Sequence, residues 1–236
     1  MKYVISDLHG MYDLYRKMLD RLALTEEDTL YVLGDVFDRG PHPVKILLDM
    51  MQRDNVIPIL GNHEWMGMKC LRFLLEEITD ESILRMDEEM IENLQIWERN
   101  GNWSTLQEMQ ALDSWDREMV LDYIEGFGLW EEVEAGGKQF LLVHGGLANF
   151  SPRKSLYDYT VEELVWDRPD YSRVYFPDKY LVTGHTPTGY IPGNPRAEYI
   201  YQANHHIAID CGAVFTGRLG AICLDTLEEI YVTEEM

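Results

Sequence analysis

Short apolar runs alternate with helix-like stripes over the first 60 residues, and this alternation constrains the fold more than any other feature. Residues 3–5, 30–33 and 56–60 are short and apolar, which is typical of strands. Between them, apolar side chains recur at helical spacing over residues 14–22 and 44–51. Strands that alternate with helices predict an α/β domain with parallel pairing. The proline in the third run places that strand at an edge or a bulge.

Four more apolar runs follow in the last third, at residues 140–143, 180–183, 207–209 and 220–224. Because no long helical stripe separates them, they predict a second, more antiparallel sheet that packs on the first. The Gly-Gly pair at residues 136–137 is typical of a hairpin turn. We therefore expect one domain over residues 1–236, with a two-sheet β-sandwich and flanking helices.

Residues 76–130 interrupt this pattern and predict a helical insertion within the domain. Nine acidic residues and one arginine lie between positions 76 and 98. Two apolar stripes suggest amphipathic helices, one formed by Ile83, Leu84, Met90, Ile91 and Leu94 and the other by Leu112, Trp115, Met119 and Tyr123. The insertion is either a cap over a site or a set of ordinary flanking helices with solvated acidic faces.

Composition excludes several classes of protein. The chain has 20 basic and 42 acidic residues, a formal net charge of -22, which disfavours nucleic acid as a partner. No apolar run is long enough to span a membrane. Three cysteines without a paired spacing and an N-terminus without a signal-peptide pattern favour a cytoplasmic protein. The oligomeric state is left open.

Side chains of metal-ligand type follow five of the predicted strands. In α/β sheets, ligands bind at the carboxyl ends of the strands, so these side chains are expected to meet. The candidate ligands are Asp7, His9, Asp35, Asn62, His144 and His185. Each motif alone has an ordinary structural explanation, such as a helix cap or a hydrogen-bonded histidine. All five together, in the same context, favour a functional site.

The ligand types predict the kind of metal site. All six candidates bind through oxygen or nitrogen, which suits Mn²⁺, Fe or Zn²⁺ better than a structural thiolate zinc site. Six side chains are too many for one open catalytic metal and suit two divalent ions that share a bridging carboxylate. Manganese is the preferred expectation.

The motifs resemble those of the phosphoprotein phosphatases, which belong to the calcineurin-like metallophosphoesterases. Within this family, the motifs closely resemble those of the small bacterial and phage serine/threonine phosphatases. The matching segments are Asp7-x-His9-Gly10, Gly34-Asp35-Val36-Phe37-Asp38-Arg39-Gly40, Gly61-Asn62-His63-Glu64, His144-Gly145-Gly146, Trp166-Asp167-Arg168 and Gly184-His185. The resemblance implies the metallophosphatase arrangement of α-β-β-α layers.

The resemblance also implies a role for each matching residue. Asp7 and His9 would hold one metal, Asn62, His144 and His185 the other, and Asp35 would bridge them. A water molecule activated between the metals would attack phosphorus directly. Arg39 and Arg168, with Asn62, would bind the phosphate, although a surface ion pair with Asp167 is the alternative for Arg168. His63 would point away from the metals and act as a general acid oriented by Asp38.

Three functions fit these motifs. The leading expectation is a phosphomonoesterase that acts on phosphoserine or phosphothreonine in a protein or peptide, or on a small phosphoester. The alternative is a dinucleoside polyphosphate hydrolase of the diadenosine tetraphosphate type, which would need an aromatic and basic pocket. The acidic insertion favours a basic peptide. A pseudophosphatase that binds metal without catalysis is the third reading.

Overall fold

The computed structural model describes residues 1–76, 79 and 86–234. Its strands are β1 (Lys2–Ile5), β2 (Thr29–Leu33), β3 (Val56–Ile59), β4 (Trp130–Ala135), β5 (Lys138–Val143), β6 (Lys179–Thr183), β7 (Tyr201–Ala203), β8 (His206–Ala208), β9 (Arg218–Cys223) and β10 (Glu229–Thr233). Its helices are α1 (Tyr12–Leu22), α2 (Pro43–Met50), α3 (Asn62–Leu75), α4 (Glu88–Arg99), α5 (Trp103–Ala111), α6 (Ser114–Glu125), α7 (Val161–Val165) and α8 (Ala213–Thr216). Among the described helices, none is both long and apolar enough to cross a membrane.

The first sheet, sheet A, has the strand order β10-β9-β1-β2-β3. Strands β1, β2 and β3 pair in parallel, as the βαβ pattern predicts. Pro58 lies on the edge strand β3, where it lies opposite Val32, so its missing N–H group costs the sheet little. The sequence-based placement of residues 220–224 in the second sheet is wrong. They form most of β9, which pairs antiparallel with β1 and places Cys223 opposite Tyr3.

The second sheet, sheet B, has the order β4-β5-β6-β8-β7. Its three central strands are parallel, and only the edge strands β4 and β7 are antiparallel to their neighbours. The expected antiparallel pairing therefore occurs only between each edge strand of sheet B and its neighbour. The Gly136-Gly137 pair joins β4 to β5, and both glycines have positive φ, as a tight hairpin requires.

Alternation along the strands divides the core into layers. Val4, Leu33 and Leu142 face the interior between the two sheets. Their neighbours point the other way: Ile5 faces helices α1 to α3, and Leu141 faces the loops around α7. The order of layers is helix, sheet A, sheet B, then a thinner outer layer. The structure therefore confirms the predicted two-sheet α/β sandwich.

Helices α4, α5 and α6 form the described part of the predicted insertion. The predicted stripe residues Ile83 and Leu84 lie outside the described residues. The predicted stripe of α6 is wrong at two of its four positions, because Trp115 is 72% exposed and Met119 43% exposed, whereas Leu112 and Tyr123 pack against the core. The helix instead buries Val120, Leu121 and Ile124 against the helix layer, whereas its outer face keeps Trp115 and Met119 in solvent.

Candidate metal centre

The carboxyl ends of five strands meet at one edge of the sandwich. The segments after β1, β2 and β3 come from sheet A, and those after β5 and β6 come from sheet B. One link crosses between the sheets: the backbone N–H of His185, after β6, donates to the side-chain carboxylate of Asp7, after β1, at 3.0 and 3.1 Å. A second link lies within sheet B, where the N–H of Gly184 donates to the carbonyl of His144 at 2.8 Å. The side chains predicted from the strand ends therefore converge.

Asp35 lies at the centre of this convergence. One carboxylate oxygen is 3.3 Å from Nε2 of His144, and the other is 3.5 Å from Nε2 of His9. Two sets of metal-compatible side chains share this residue, each with ligand atoms within 4.8 Å of one another: His9, Asp35 and His63 form the first group, and Asp35, His144 and His185 form the second group. A carboxylate common to two such groups can bridge two cations.

The imidazole orientations suit metal binding. Nδ1 of His9 lies 2.7 Å from the carbonyl oxygen of Phe37, and Nδ1 of His144 lies 2.6 Å from that of Leu33. A carbonyl oxygen only accepts, so each Nδ1 carries a proton. This leaves Nε2 as the nitrogen of each ring that faces the site: that of His9 accepts from Arg39, and that of His144 faces Asp35. This pattern is common among metal-binding histidines, because the carbonyl fixes the tautomer and the ring orientation.

Asp7 and Asn62 complete the predicted set of ligands. The amide oxygen of Asn62 is 3.0 Å from Nε2 of His144, which places it beside the second group. Asp7 also lies nearer to the second group, because both of its oxygens accept the backbone N–H of His185. The pairing of Asp7 with His9 on one metal remains a prediction.

The backbone is strained at many of these positions. Six of the predicted site residues adopt left-handed φ values although none is glycine: Asp7, His9, Asp35, Asp38, Arg39 and His185. Such conformations cost on the order of 1–3 kcal/mol each and persist where the surroundings enforce them, often at functional sites. At Gly184, a Cβ atom would overlap the Asp7 carboxylate, so glycine is required for this approach.

The buried charges favour bound cations. Burial raises the pKa of Asp7 to about 6, against an opposing effect of His144. Burial also raises the pKa of Asp35, but the nearby His144 and His63 outweigh it and hold that pKa below its usual range. For His185, burial lowers the pKa to about 3, and the charge of His144 adds to this effect. Burial lowers the pKa of His144, but the neighbouring Asp35 and Asp7 outweigh it and raise that pKa to about 10. Carboxylates and neutral imidazoles are the protonation states that bind divalent metals, so the residues present fit such ions, and His144 would release its proton on binding.

The predicted catalytic pair is also assembled. Nδ1 of His63 is 2.6 Å from the Asp38 carboxylate, and both side chains are buried. The sequence predicts a His63 ring that points away from the metals, but in the structure the ring faces the metal-compatible groups. Its Nε2 lies 3.9 Å from Asp35, because α3 starts at the strand end and turns the ring inward.

The two predicted arginines differ in position. Arg39 reaches into the site, where its guanidinium donates to Nε2 of His9 at 2.5 Å and lies 2.9 Å from Nε2 of His63. Arg168 lies at the surface and donates to the hydroxyl of Thr186 at 3.3 Å, next to His185. The alternative ion pair with Asp167 is absent among the described residues.

Two buried acids were assigned no site role from the sequence: Glu64, which belongs to one of the matching motifs, and Asp210, which was not considered. Glu64 accepts four backbone N–H bonds, from Asp35, Val36, Phe37 and Gly61, and so fixes the turn after β2. Its position three residues after Gly61 is the spacing of a capping box. Asp210 follows β8, and burial, followed by repulsion from Asp7, raises its pKa well above the usual range. The rule that side chains of metal-ligand type after a predicted strand are site candidates could have identified Asp210.

Comparison with known proteins supports the same chemistry. The model of the family described as calcineurin-like phosphoesterase matches residues 3–215. A symmetrical bis(5′-nucleosyl)-tetraphosphatase of Acidovorax ebreus is 30% identical over 61% of this chain and 43% of its own length. The asymmetrical bis(5′-nucleosyl)-tetraphosphatase PrpE of Bacillus thuringiensis is 25% identical over 100% of this chain and 96% of its own. The chain thus spans less than half of the symmetrical relative.

A solved structure shares the fold at lower identity. It is described as a candidate diadenosine tetraphosphatase and superposes with a TM-score of 0.66 at 16% identity, over 98% of this chain and 92% of the other. The similarity concerns the architecture of two sheets and flanking helices.

We predict that Asp35→Asn lowers metal occupancy. The amide cannot bridge two cations as a carboxylate does, so at least one of two bound ions should be lost. Elemental analysis after loading with Mn²⁺ and gel filtration measures the ratio. Asp122→Asn, which neutralises a largely exposed carboxylate on α6, is the control. Retention of two full equivalents by Asp35→Asn would refute the bridging role.

We predict that Asp7→Asn stabilises the metal-free protein at pH 7.5 but not at pH 4. The folded-state pKa of Asp7 is about 6, above its unfolded value, so ionisation above pH 6 destabilises the fold. Asparagine removes this penalty, which is on the order of 1–3 kcal/mol for a shift of about two units. Urea unfolding in the presence of a chelator measures the difference. Equal effects of the substitution at both pH values would contradict the expected ionisation of Asp7.

Proposed function

This chain belongs to the calcineurin-like phosphoesterase family, and from that premise we propose that it is a metal-dependent hydrolase of dinucleoside polyphosphates. The observation that supports hydrolysis most directly is the position of Asp35, which is shared by the two metal-compatible groups. The substrate class is supported by the relatives, since PrpE matches the whole chain and is named for cleavage of bis(5′-nucleosyl) tetraphosphates. We therefore prefer the dinucleoside polyphosphate hydrolase, which is the alternative drawn from the sequence, to the phosphoserine or phosphothreonine phosphatase.

The residues that would hold the metals are those at the strand ends. His9 with Asp35, and Asp35 with Asn62, His144 and His185, present oxygen and nitrogen donors to a common space. Asp7 is the remaining proposed ligand. Two bound divalent ions, with manganese preferred, would supply Lewis acidity that activates water and polarises the phosphoryl group.

Arg39 is the proposed phosphate clamp at the inner end of the site. Its two terminal nitrogens already point at His9 and His63, so a phosphate bound between these rings would receive two parallel hydrogen bonds. Arg168, held by Thr186 beside His185, is the proposed clamp at the outer end. A polyphosphate has several charged groups, which gives both arginines a partner.

His63 is the proposed proton donor to the leaving oxygen. Its Nδ1 is held by Asp38, so its Nε2 is the nitrogen that faces the substrate. In the structure this nitrogen lies 2.9 Å from Arg39. A phosphate that draws Arg39 toward itself would free Nε2 to carry a proton, which is the position a general acid requires.

Exposed aromatic rings next to these groups support a nucleotide substrate. Phe215 on α8 is 70% exposed, and the guanidinium carbon of Arg39 lies 5.6 Å from the centre of its ring. Trp166 is 38% exposed, and its ring centre lies 6.0 Å from that of His185. Aromatic faces beside a phosphate-binding site suit nucleobases, which stack on them without regard to sequence.

A phosphoserine or phosphothreonine phosphatase is the second candidate. The net charge of -22 favours a basic peptide over a polyanion, and exposed acids on α4, such as Glu88 and Glu89, add to it. The third hypothesis, a metal-binding protein without catalysis, has less support because the His63–Asp38 pair and both arginines are present.

We predict that the manganese-loaded protein hydrolyses diadenosine tetraphosphate with a higher kcat/KM than a basic phosphoserine peptide. Phe215→Ala should raise the KM for the dinucleotide roughly 10-fold, because stacking of a base contributes about 1–3 kcal/mol. Tyr157→Ala, which removes an exposed ring that packs on Trp130 of β4 and contacts neither Arg39 nor His185, is the matched control. A preference for the peptide would favour the second candidate, and no hydrolysis of either would favour the third.

We predict that His63→Asn slows esters with poor leaving groups most. A general acid contributes about 10²–10⁴-fold, and p-nitrophenolate needs little protonation to leave. Turnover of alkyl or phenyl esters should therefore fall far more than that of p-nitrophenyl esters, while metal content stays unchanged. Equal losses on both substrates would contradict the role of His63 as an acid.

A further inference from the structure

The Asp38 carboxylate accepts hydrogen bonds from two side chains that none of the roles above explains. Trp97 on α4 donates from Nε1 to Oδ2 of Asp38 at 2.8 Å, and this oxygen also binds Nδ1 of His63. Thr105 on α5 donates its hydroxyl to the other oxygen, Oδ1, at 2.6 Å. Both side chains are fully buried.

These donors define the direction of every hydrogen bond at Asp38. The indole N–H of Trp97 can only donate, so Oδ2 must accept from it. The hydroxyl oxygen of Thr105 accepts the backbone N–H of Asp38 at 2.9 Å, which directs its own proton to Oδ1. Both carboxylate oxygens are thus acceptors, and Nδ1 of His63 must be the donor in the third bond. The network therefore sets the tautomer of His63 as well as the orientation of Asp38.

The same segment holds the backbone of the turn. Asp38 and Arg39 have left-handed φ values of 69° and 67°. The N–H of Arg39 donates to the carbonyl of Gly101, in the connection between α4 and α5, at 2.9 Å. Such a turn keeps its strained conformation only where several contacts enforce it. Trp97, Gly101 and Thr105 supply these contacts from one stretch of chain.

We propose that Trp97 and Thr105 are positioning residues for catalysis: they hold Asp38 so that His63 presents Nε2 to the leaving oxygen. The inference rests on the proposed role of His63 as a general acid. On this proposal, helices α4 and α5 of the acidic insertion line the site on the Asp38 side of the proton donor.

Three variants separate positioning from packing. Trp97→Phe keeps most of the ring and removes only the N–H donor. Thr105→Val keeps the shape and removes the hydroxyl, whereas Thr105→Ser retains it. Met109→Ala is the control, because Met109 is buried on the same helix as Thr105 and its side chain has no polar contact with Asp38.

The first measurement is the dependence of turnover on the leaving group. The substrates are phenyl and p-nitrophenyl esters of phosphate, or of adenosine 5′-phosphate if the wild-type protein hydrolyses only diesters. We expect Trp97→Phe and Thr105→Val to reduce kcat for the phenyl ester roughly 10- to 100-fold, and that for the p-nitrophenyl ester by about 3-fold or less. Thr105→Ser should restore the wild-type ratio, and Met109→Ala should leave it unchanged.

The second measurement does not depend on activity. In the metal-free protein, the proton on Nδ1 of His63 should give a downfield NMR resonance that is absent in His63→Asn. We expect this resonance to shift, or to broaden through faster exchange with water, in Trp97→Phe and Thr105→Val, but to be kept in Thr105→Ser and Met109→Ala.

The outcomes distinguish this inference from the function on which it rests. If His63→Asn lacks a leaving-group effect, the general-acid role is wrong and this inference falls with it. If His63→Asn has the effect while Trp97→Phe and Thr105→Val match the ratio and resonance of the wild-type protein, only the positioning role is overturned. A ratio altered equally by Met109→Ala would assign the effect to packing and overturn it as well.

Discussion

The burial of several ionisable groups at one edge of the sandwich is the constraint on which the rest of the structure depends. Charged groups taken out of water destabilise a fold by several kcal/mol each unless they are paired or hydrogen-bonded. The protein meets this requirement with bonds that also orient the site. Glu64 is satisfied by four backbone N–H groups, and Asp38 by three side-chain donors. Burial nevertheless raises the pKa values of Asp7, Glu64 and Asp210, so the charge of each is incompletely compensated. A cation held by Asp7 and its neighbours would therefore stabilise the fold.

This constraint explains why the ligand positions could be predicted from sequence whereas their supports could not. A polar residue directly after an apolar run is visible in the chain, and the parallel pairing of β1 to β3 brings such residues to one edge. The bonds from Trp97 and Thr105 to Asp38 span 59 and 67 residues, and nothing in the local pattern indicates them. Both residues belong to a segment whose apolar spacing indicates only helices.

The errors at the level of the fold have a similar origin. The run at 220–224 is apolar enough to be a strand, but hydrophobicity does not specify its neighbour, and β9 pairs with β1 rather than joining sheet B. In α6, Trp115 and Met119 share a face with helical spacing, but that face is exposed while Val120, Leu121 and Ile124 are buried. Periodicity therefore located the helix without identifying the side on which the core would lie.

The role of the acidic helices follows from how they are attached. A detachable cap would contact the site through few bonds, whereas α4, α5 and their connection contact the Asp38–Arg39 turn through side chains and backbone. Glu108 on α5 extends this attachment by accepting the first backbone N–H groups of α2. Opening of these helices would release Asp38 and, with it, the orientation of His63. The inner face of these helices is therefore constrained by the proposed proton donor.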